Sequence, residues 1–316
     1  MSRMHPTVSR RRLLCAAAAG VATHWLGSRA LAAPPAGVDL KLGVQLWTVK
    51  DDLQRDYPGT LRQLAVIGVR RVELYELGGP PAAETRAALD AAGLECISAH
   101  VRLWELEGGL QPLIERARRI GIRTLVVPVP WMPADSLQRA LAGDMLRVLA
   151  QEMTLDNWKR TAELLNSYGE RLHAEGLALA YHNHNIDFKR FGDRIPYEEL
   201  VAATDARHVR LELDCGWVAS AGLDPVTYLK RWPHRYMGLH VKDVKAGFVP
   251  NVAMATEPTE VGGGVMDWPS ILQAAYGAGV REYYIEQEPP FVRPPLESVR
   301  ISFDFVAQAA RRLKGD

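Results

Sequence analysis

Eight short apolar segments, separated by amphipathic helical patterns, limit the folds open to this chain more than any other feature of its sequence. The segments, which we interpret as strands ending in polar residues, are Lys41–Trp47, Arg71–Tyr75, Leu94–His100, Thr124–Pro130, Leu177–His184, Val209–Asp214, Tyr236–Val241 and Glu282–Glu286. The predicted helices are Tyr57–Ile67, Ala82–Ala92, Gln111–Ile120, Leu155–Glu175, Tyr197–Thr204, Pro225–Arg231, Trp268–Gly277 and Leu296–Leu313. Such alternation predicts a parallel sheet, and eight repeats favour a closed (β/α)8 barrel over an open doubly wound sheet. No Gly-x-Gly-x-x-Gly follows the first strand, which argues against dinucleotide binding.

The first 32 residues have the pattern of an export signal. The pair Arg10-Arg11 precedes an apolar run from Cys15 to Leu26, and Ala30-Leu31-Ala32 resembles a cleavage site. We therefore predict a twin-arginine signal peptide over residues 1–32, a periplasmic or secreted mature protein, and a single barrel domain over residues 38–316. The apolar run is too short to cross about 30 Å of hydrocarbon, so we expect no stable membrane anchor.

The charge of the mature chain limits the partners that it can bind. The predicted leader contains five arginines and no acidic residue, so its removal changes the formal net charge from +1 to −4. A chain with this balance and no basic stripe is not expected to bind nucleic acid. We expect a small-molecule partner, and the sequence is compatible with a homodimer.

Carboxylates and imidazoles follow the last strands of the predicted barrel. Asp214 ends the sixth strand, His240 lies near the end of the seventh, and Glu286 ends the eighth. The carboxyl ends of all strands surround one mouth of a parallel barrel, so these side chains should meet there. Imidazole and carboxylate groups that converge on one point indicate one divalent metal ion, for which manganese, zinc and magnesium are the candidates.

Alternation along a strand places further polar residues at the same mouth. His182 and His184 share one face of the fifth strand, so one can bind metal while the other contacts a substrate. Glu288 shares a face with Glu286 in the same way, and Lys242 stands two residues after His240. These residues predict a functional mouth and not an ordinary buried core.

Several of these motifs together resemble a known family. The stretches are Gly43-Val-Gln-Leu-Trp-Thr-Val-Lys-Asp-Asp52, Val72-Glu-Leu, Ser98-Ala-His-Val101, Tyr181-His-Asn-His184, Leu211-Glu-Leu-Asp-Cys-Gly-Trp217, Leu239-His-Val-Lys-Asp243, Glu260-Val-Gly-Gly-Gly264 and Ile285-Glu-Gln-Glu288. From Leu42 to its C-terminus the chain resembles the sugar phosphate isomerase/epimerase family of xylose isomerase-like TIM barrels, and in particular a secreted His-Asn-His subgroup.

The resemblance implies a metal held by residues of strands five to eight. Three of the family's ligand positions fall on Asp214, His240 and Glu286, and His182 stands where many members have a glutamate. The subgroup usually has a glutamate three residues after its second histidine, whereas this chain has Asp187. We therefore expect His182 to be the fourth ligand, with His184 and Asp187 as alternatives.

The resemblance also implies an enzyme that acts on a keto-sugar or keto-inositol through an enediolate. The outcomes are isomerisation, epimerisation, dehydration or 3-keto-glycoside elimination. The candidates for proton transfer are His184, Lys242 and Glu286; the expected substrate contacts are Trp47, Glu73, His100, Trp217 and Glu288. Export argues against sugar phosphates, which are mostly cytoplasmic. The alternatives are a non-catalytic sugar-binding barrel and an endonuclease on the same fold.

Overall fold

Eight parallel strands close into a barrel. The computed structural model describes residues 40–313, so the predicted leader lies outside the described residues. The barrel strands are β1 (Lys41–Gln45), β2 (Arg71–Leu74), β3 (Glu95–His100), β4 (Thr124–Val127), β5 (Ala178–His182), β6 (Val209–Asp214), β7 (Tyr236–Val241) and β8 (Glu282–Ile285). Each strand pairs with the next, and β8 closes the ring on β1 with Lys41 opposite Glu282. The predicted (β/α)8 barrel is confirmed.

Helices surround the barrel. They are α1 (Lys50–Arg55), α2 (Tyr57–Ile67), α3 (Ala82–Ala92), α4 (Leu103–Glu107), α5 (Leu110–Ile120), α6 (Ala134–Arg139), α7 (Met145–Gln151), α8 (Leu155–Ala174), α9 (Pro196–Ala203), α10 (Cys215–Ser220), α11 (Pro225–Arg231), α12 (Trp268–Gly277) and α13 (Pro295–Ala310). Sequence patterns predicted eight of these and missed the short helices α1, α4, α6, α7 and α10. A π-helical turn at Ala140–Asp144 joins α6 to α7. A two-stranded antiparallel ribbon pairs Asp243–Val244 with Pro258–Thr259.

Several strands end earlier than their sequences predict. β1 ends at Gln45, whose side chain accepts a hydrogen bond from the Trp47 amide and caps a 3-10 turn at Leu46–Val49. β5 ends at His182, and a second 3-10 turn follows at Asn185–Phe188. The polar residues after these strands therefore lie on turns at the mouth.

The hydrophobic core lies between the barrel and the inner faces of the helices. Trp158, Leu165 and Leu172 face inward from α8 and are buried. Helix α2 ends at Gly68 with φ of 112°, a left-handed conformation that favours glycine and turns the chain into β2. Across residues 40–313, no helix combines the length and apolarity needed to cross a membrane.

Candidate functional site

The barrel interior holds two clusters of buried polar side chains. We call Gln45, Glu73, His100 and Glu212 the floor cluster; the mouth cluster consists of Asp214, Lys242, Glu286 and Glu288. His182 and His240 lie between them, and each directs one ring nitrogen to each cluster. Because β6 contributes Glu212 and Asp214 two residues apart on one face, it contributes a carboxylate to both clusters.

His240 connects the two clusters directly. Its Nε2 lies 2.8 Å from Glu73 Oε1 and 3.1 Å from Glu212 Oε2. Its Nδ1 lies 3.1 Å from Glu286 Oε2 and 3.7 Å from Asp214 Oδ2. Burial disfavours its charged form, but Glu212 and Glu286 raise the pKa of His240 well above its usual value. The imidazole is thus held between acceptors on both sides.

His182 has the same arrangement. Its Nδ1 lies 3.1 Å from Glu212 Oε2 and its Nε2 lies 4.0 Å from Asp214 Oδ2. The ring centroids of His182 and His240 are 4.5 Å apart. The two histidines therefore present one nitrogen each toward Asp214.

The residues at the mouth fit a divalent metal ion. Asp214, His240 and Glu286 each offer a ligand atom within 4.8 Å of the others. Metal bonds of about 2.1 Å in a tetrahedral site separate ligand atoms by about 3.4 Å, close to the distances of His240 Nδ1 from Glu286 and Asp214. Asp214 Oδ2 is buried and lies 3.0 Å from Lys242 Nζ, but it accepts no well-aligned hydrogen bond from residues 40–313, so it keeps a lone pair for a metal ion.

A second set of ligand atoms lies in the floor. His100, His182, Glu212 and His240 also bring one ligand atom each within 4.8 Å. This set would use the opposite ring nitrogens of His182 and His240. Metal-binding histidines normally donate their other ring N–H to a carboxylate, and Glu212 is placed to accept from both rings. We therefore favour the mouth as the metal site and assign Glu212 to histidine orientation.

Lys242 neutralises part of the mouth cluster. Its Nζ lies 3.0 Å from Asp214 Oδ2, 2.8 Å from Glu286 Oε2 and 2.9 Å from Glu288 Oε1. Although burial disfavours the ammonium, Asp214 and Glu286 raise the pKa of Lys242 well above its usual value. A Cβ at Gly216 would lie 2.6 Å from Lys242 Cγ, so only glycine leaves room for the Lys242 side chain in this position. Lys242 is thus a charged donor.

A cavity of about 490 Å³ opens above the clusters. It is lined by Trp47, Tyr75, His100, Arg102, Pro128, Val129, Met145, Leu146, Leu149, His182, His184, Trp217, Met254, Ala255, Thr256, Glu286, Glu288 and Pro289. The lining includes four of the five predicted substrate contacts, namely Trp47, His100, Trp217 and Glu288. The His184 ring also lines the cavity, with its centroid 5.2 Å from that of Trp217.

Glu73 does not occupy the predicted position. It has no exposed surface, accepts a hydrogen bond from Gln45 Nε2 at 2.7 Å, and lies beneath His240. Glu73 is not among the residues that line the cavity, so its position gives no support to the prediction that it contacts a sugar. The next inward position on this chain segment is Tyr75, which lines the cavity and which sequence analysis missed.

The three candidates for the fourth ligand have different surroundings. Asp187 is buried in the 3-10 turn after β5, where its Oδ2 accepts a hydrogen bond from Tyr181 OH at 2.9 Å. Neither Asp187 nor His184 belongs to a group of converging ligand atoms among residues 40–313, and His182 belongs only to the floor set. His182 is the candidate whose ring nitrogen faces Asp214.

Asp243 fixes the chain beside Lys242. Its Oδ1 accepts hydrogen bonds from the amides of Val244 and Met266, at 2.9 and 3.2 Å. Its Oδ2 accepts from the Gly262 amide at 2.9 Å and from Trp268 Nε1 at 2.8 Å. This carboxylate ties the end of β7 to residues 262–268 at the start of α12, and the antiparallel ribbon closes the loop 245–257.

Two known proteins share part of this sequence. An inosose dehydratase from Lacticaseibacillus casei is 29% identical over 157 residues, which cover 45% of this chain and 51% of that relative. The chain thus spans about half the length of the dehydratase. The rhizopine catabolism protein MocC of Rhizobium meliloti is 26% identical over 298 residues, which cover 83% of this chain and 87% of the relative.

Solved structures share the fold at lower identity. A sugar phosphate isomerase/epimerase from Parabacteroides distasonis superposes with a TM-score of 0.69 at 23% identity, covering 89% of this chain and 97% of the other. An IOLI protein with a bound zinc atom superposes with a TM-score of 0.62 at 13% identity, covering 88% and 100%. A family model for xylose isomerase-like TIM barrels matches residues 61–309. The chain belongs to the xylose isomerase-like TIM barrel family.

Proposed function

We propose that this protein is a metal-dependent enzyme that acts on a keto-sugar or keto-inositol by removing a proton beside the carbonyl group. One observation carries the proposal: Asp214, His240 and Glu286 converge, with His182 beside them, directly under a cavity large enough for a small ligand. The relatives of this chain support the proposal, since one is an inosose dehydratase and a structural neighbour binds zinc.

The residues of the site have complementary tasks in this proposal. His182, Asp214, His240 and Glu286 would hold the ion, and Glu212 and Glu73 would orient the two imidazoles from below. A bound divalent cation polarises a carbonyl group and stabilises the negative charge of an enolate. Trp47 and Trp217 line the cavity where a sugar ring would lie.

Proton transfer falls to the side chains around the cavity. The C–H bond beside the carbonyl breaks, its electron pair forms the enolate, and the proton passes to His184 or Glu286. Protonation at the other carbon or face gives isomerisation or epimerisation. Alternatively, a β-substituent leaves with its bonding electrons and takes a proton. Lys242 is fully buried outside the cavity lining, so it can supply that proton only through Glu286 or Glu288, which lie 2.8 and 2.9 Å from its Nζ and line the cavity. Because His182 replaces the opposing glutamate, we favour the route that needs one base, which is elimination or dehydration.

Solvent isotope exchange tests the reaction. The enzyme, loaded with a divalent metal, is incubated with a 3-keto-glucoside or a keto-inositol in deuterated water. We expect deuterium at the carbon beside the carbonyl, or release of the aglycone or of water. A panel of such ketones that shows neither exchange nor elimination, with the metal bound, would favour a non-catalytic sugar-binding barrel.

We also propose that the protein is exported by the twin-arginine route, on the basis of Arg10-Arg11 and Ala30-Leu31-Ala32. A neutral keto-sugar suits this location better than a sugar phosphate does. Replacing Arg10 and Arg11 by lysine should leave the precursor in the cytoplasm, as judged by cell fractionation and N-terminal sequencing. Arg29→Lys, outside the pair, is the matched control. Unchanged export of the double variant would contradict the proposal.

A further inference from the structure

The cavity above the candidate metal site has two chemically different parts. His100, His182, His184, Glu286 and Glu288 form a polar part. Among the other lining residues, five have apolar side chains and lie after β4 or in the loop 245–257, and we call them the apolar wall: Val129, Met145, Leu146, Leu149 and Met254. Tyr75, Arg102 and Thr256 also line the cavity. No side chain of the apolar wall has a strong hydrogen-bonding group.

Two segments outside the barrel strands carry most of the apolar wall. Met145, Leu146 and Leu149 belong to α7, and Met254 belongs to the loop 245–257. Both segments are fixed to the chain that follows β5. Lys189 Nζ donates a hydrogen bond to Ala150 O at 3.0 Å, and Asn185 Nδ2 donates to Asn251 O at 3.0 Å. The wall is therefore a built part of the cavity.

Packing of the barrel does not account for the whole wall. Leu146 is 60% exposed, so it contributes little to the hydrophobic core. A sugar hydroxyl placed against the wall would lose water and gain no hydrogen bond in return, which is unfavourable. The cavity, at about 490 Å³, falls within the range of about 300–1,000 Å³ that holds drug-sized ligands and exceeds the needs of one sugar ring.

We propose that the ligand of this site carries an apolar group on its sugar ring, as an aryl glycoside does. The proposal rests on the proposed sugar-binding function and adds the class of substituent. The sugar ring faces the polar part, and the apolar aglycone packs against Leu146, Met145 and Met254. Methionine side chains suit such a surface, because the flexible thioether makes favourable contacts with aromatic rings.

Calorimetric titration with two stable probes tests the proposal. Phenyl β-D-glucopyranoside and methyl β-D-glucopyranoside share the sugar and differ in the apolar group. The phenyl glucoside should bind at least about tenfold more tightly, because its ring removes apolar surface from water. Leu146→Ser and Met254→Ser should each reduce this preference by about threefold or more and leave the affinity for the methyl glucoside unchanged.

A control variant and separate measurements distinguish the proposed binding of an apolar group from the proposed reaction. Val66→Ser removes a valine that is 87% exposed on α2 and lies outside the cavity lining, so it should leave the preference intact. Equal affinities, binding of neither probe, or a preference that survives the Leu146→Ser, Met254→Ser double variant would overturn the proposal. Isotope exchange on the same preparation decides the reaction independently, because the preference does not require catalysis.

Discussion

The mouth cluster and the floor cluster of the barrel contact the same two histidines but differ in charge and access. The mouth cluster has three carboxylates, one ammonium at Lys242, and two members, Glu286 and Glu288, that line the cavity. In the floor cluster, Glu73 and Glu212 have no exposed surface and contact histidines and Gln45, and His100 is the one member among the described residues that lines the cavity. The difference agrees with our proposal that the mouth performs the chemistry and that the floor orients the groups that do so.

The charge state of the floor cluster agrees with its proposed role in orienting the two histidines. Burial and the neighbouring Glu73 would raise the pKa of Glu212, but His240, His100 and His182 lower it to about 2. Glu212 is therefore ionised at neutral pH and accepts hydrogen bonds from the imidazole rings. A carboxylate that accepts from a metal-binding histidine fixes the orientation of that ring.

Loss of a mouth carboxylate should have the largest effect. We expect the wild-type protein to contain close to one divalent ion per chain by inductively coupled plasma mass spectrometry, and Asp214→Ala and Glu286→Gln each to lose it. Each variant removes a ligand from the converging set. Glu288→Gln, which changes a carboxylate outside that set, should retain the ion. Full activity of a metal-free wild-type protein would exclude the metal site. The mouth cluster and the floor cluster would then no longer differ in their proposed functions.

Loss of a proton-transfer group should have the next largest effect. His184→Ala or Lys242→Ala should slow isotope exchange or elimination by about a hundredfold or more, the size expected for a general acid or base. Both variants should keep the metal, because neither removes a proposed ligand. Metal content and exchange are measured on the same samples. Exchange at the wild-type rate in both variants would show that the mouth cluster needs no acid or base beyond Glu286.

Loss of the floor carboxylate Glu212 should have the smallest effect. Glu212→Gln keeps the shape of the side chain but removes its charge, so we expect the metal affinity to fall by about 10–100-fold, as for outer partners of other metal sites. Competition with a chromogenic chelator measures this affinity. Glu163→Gln, on the exposed face of α8, is the control. If Glu212→Gln abolished metal binding as completely as Asp214→Ala, the ion would belong in the floor.

Sequence patterns could predict the residues that end the strands but not their depth. Asp214 and His240 were found because β6 and β7 are apolar runs that end in polar residues. Glu212 was missed, although alternation with Asp214 placed it on the inward face. The depth of Glu73 and Glu212 depends on the stagger between strands, which brings residues of β2, β6 and β7 to one level. Local periodicity carries no information on that stagger.

The apolar wall could not be predicted from sequence patterns for a different reason. The segment that contains α6 and α7 has no long amphipathic pattern, since both helices are short and Gly143 interrupts them with φ of 114°. Such helices are marginal alone and depend on tertiary contacts, here the bond from Lys189 to the carbonyl of Ala150. The partners of these contacts are distant in sequence.

The four hydrogen bonds accepted by Asp243 bear on how such a barrel can diversify. Together with the ribbon that pairs Asp243–Val244 with Pro258–Thr259, they fix the chain on both sides of the loop 245–257 and hold the end of β7, which carries His240, in place. Each doubling of loop length costs only about 0.6 kcal/mol in closure entropy. Insertions, deletions and new side chains around Met254 can therefore accumulate without displacing Lys242 or His240. If the proposed ligand contacts are right, ligand preference can change in this loop while His240 and Lys242 keep their positions.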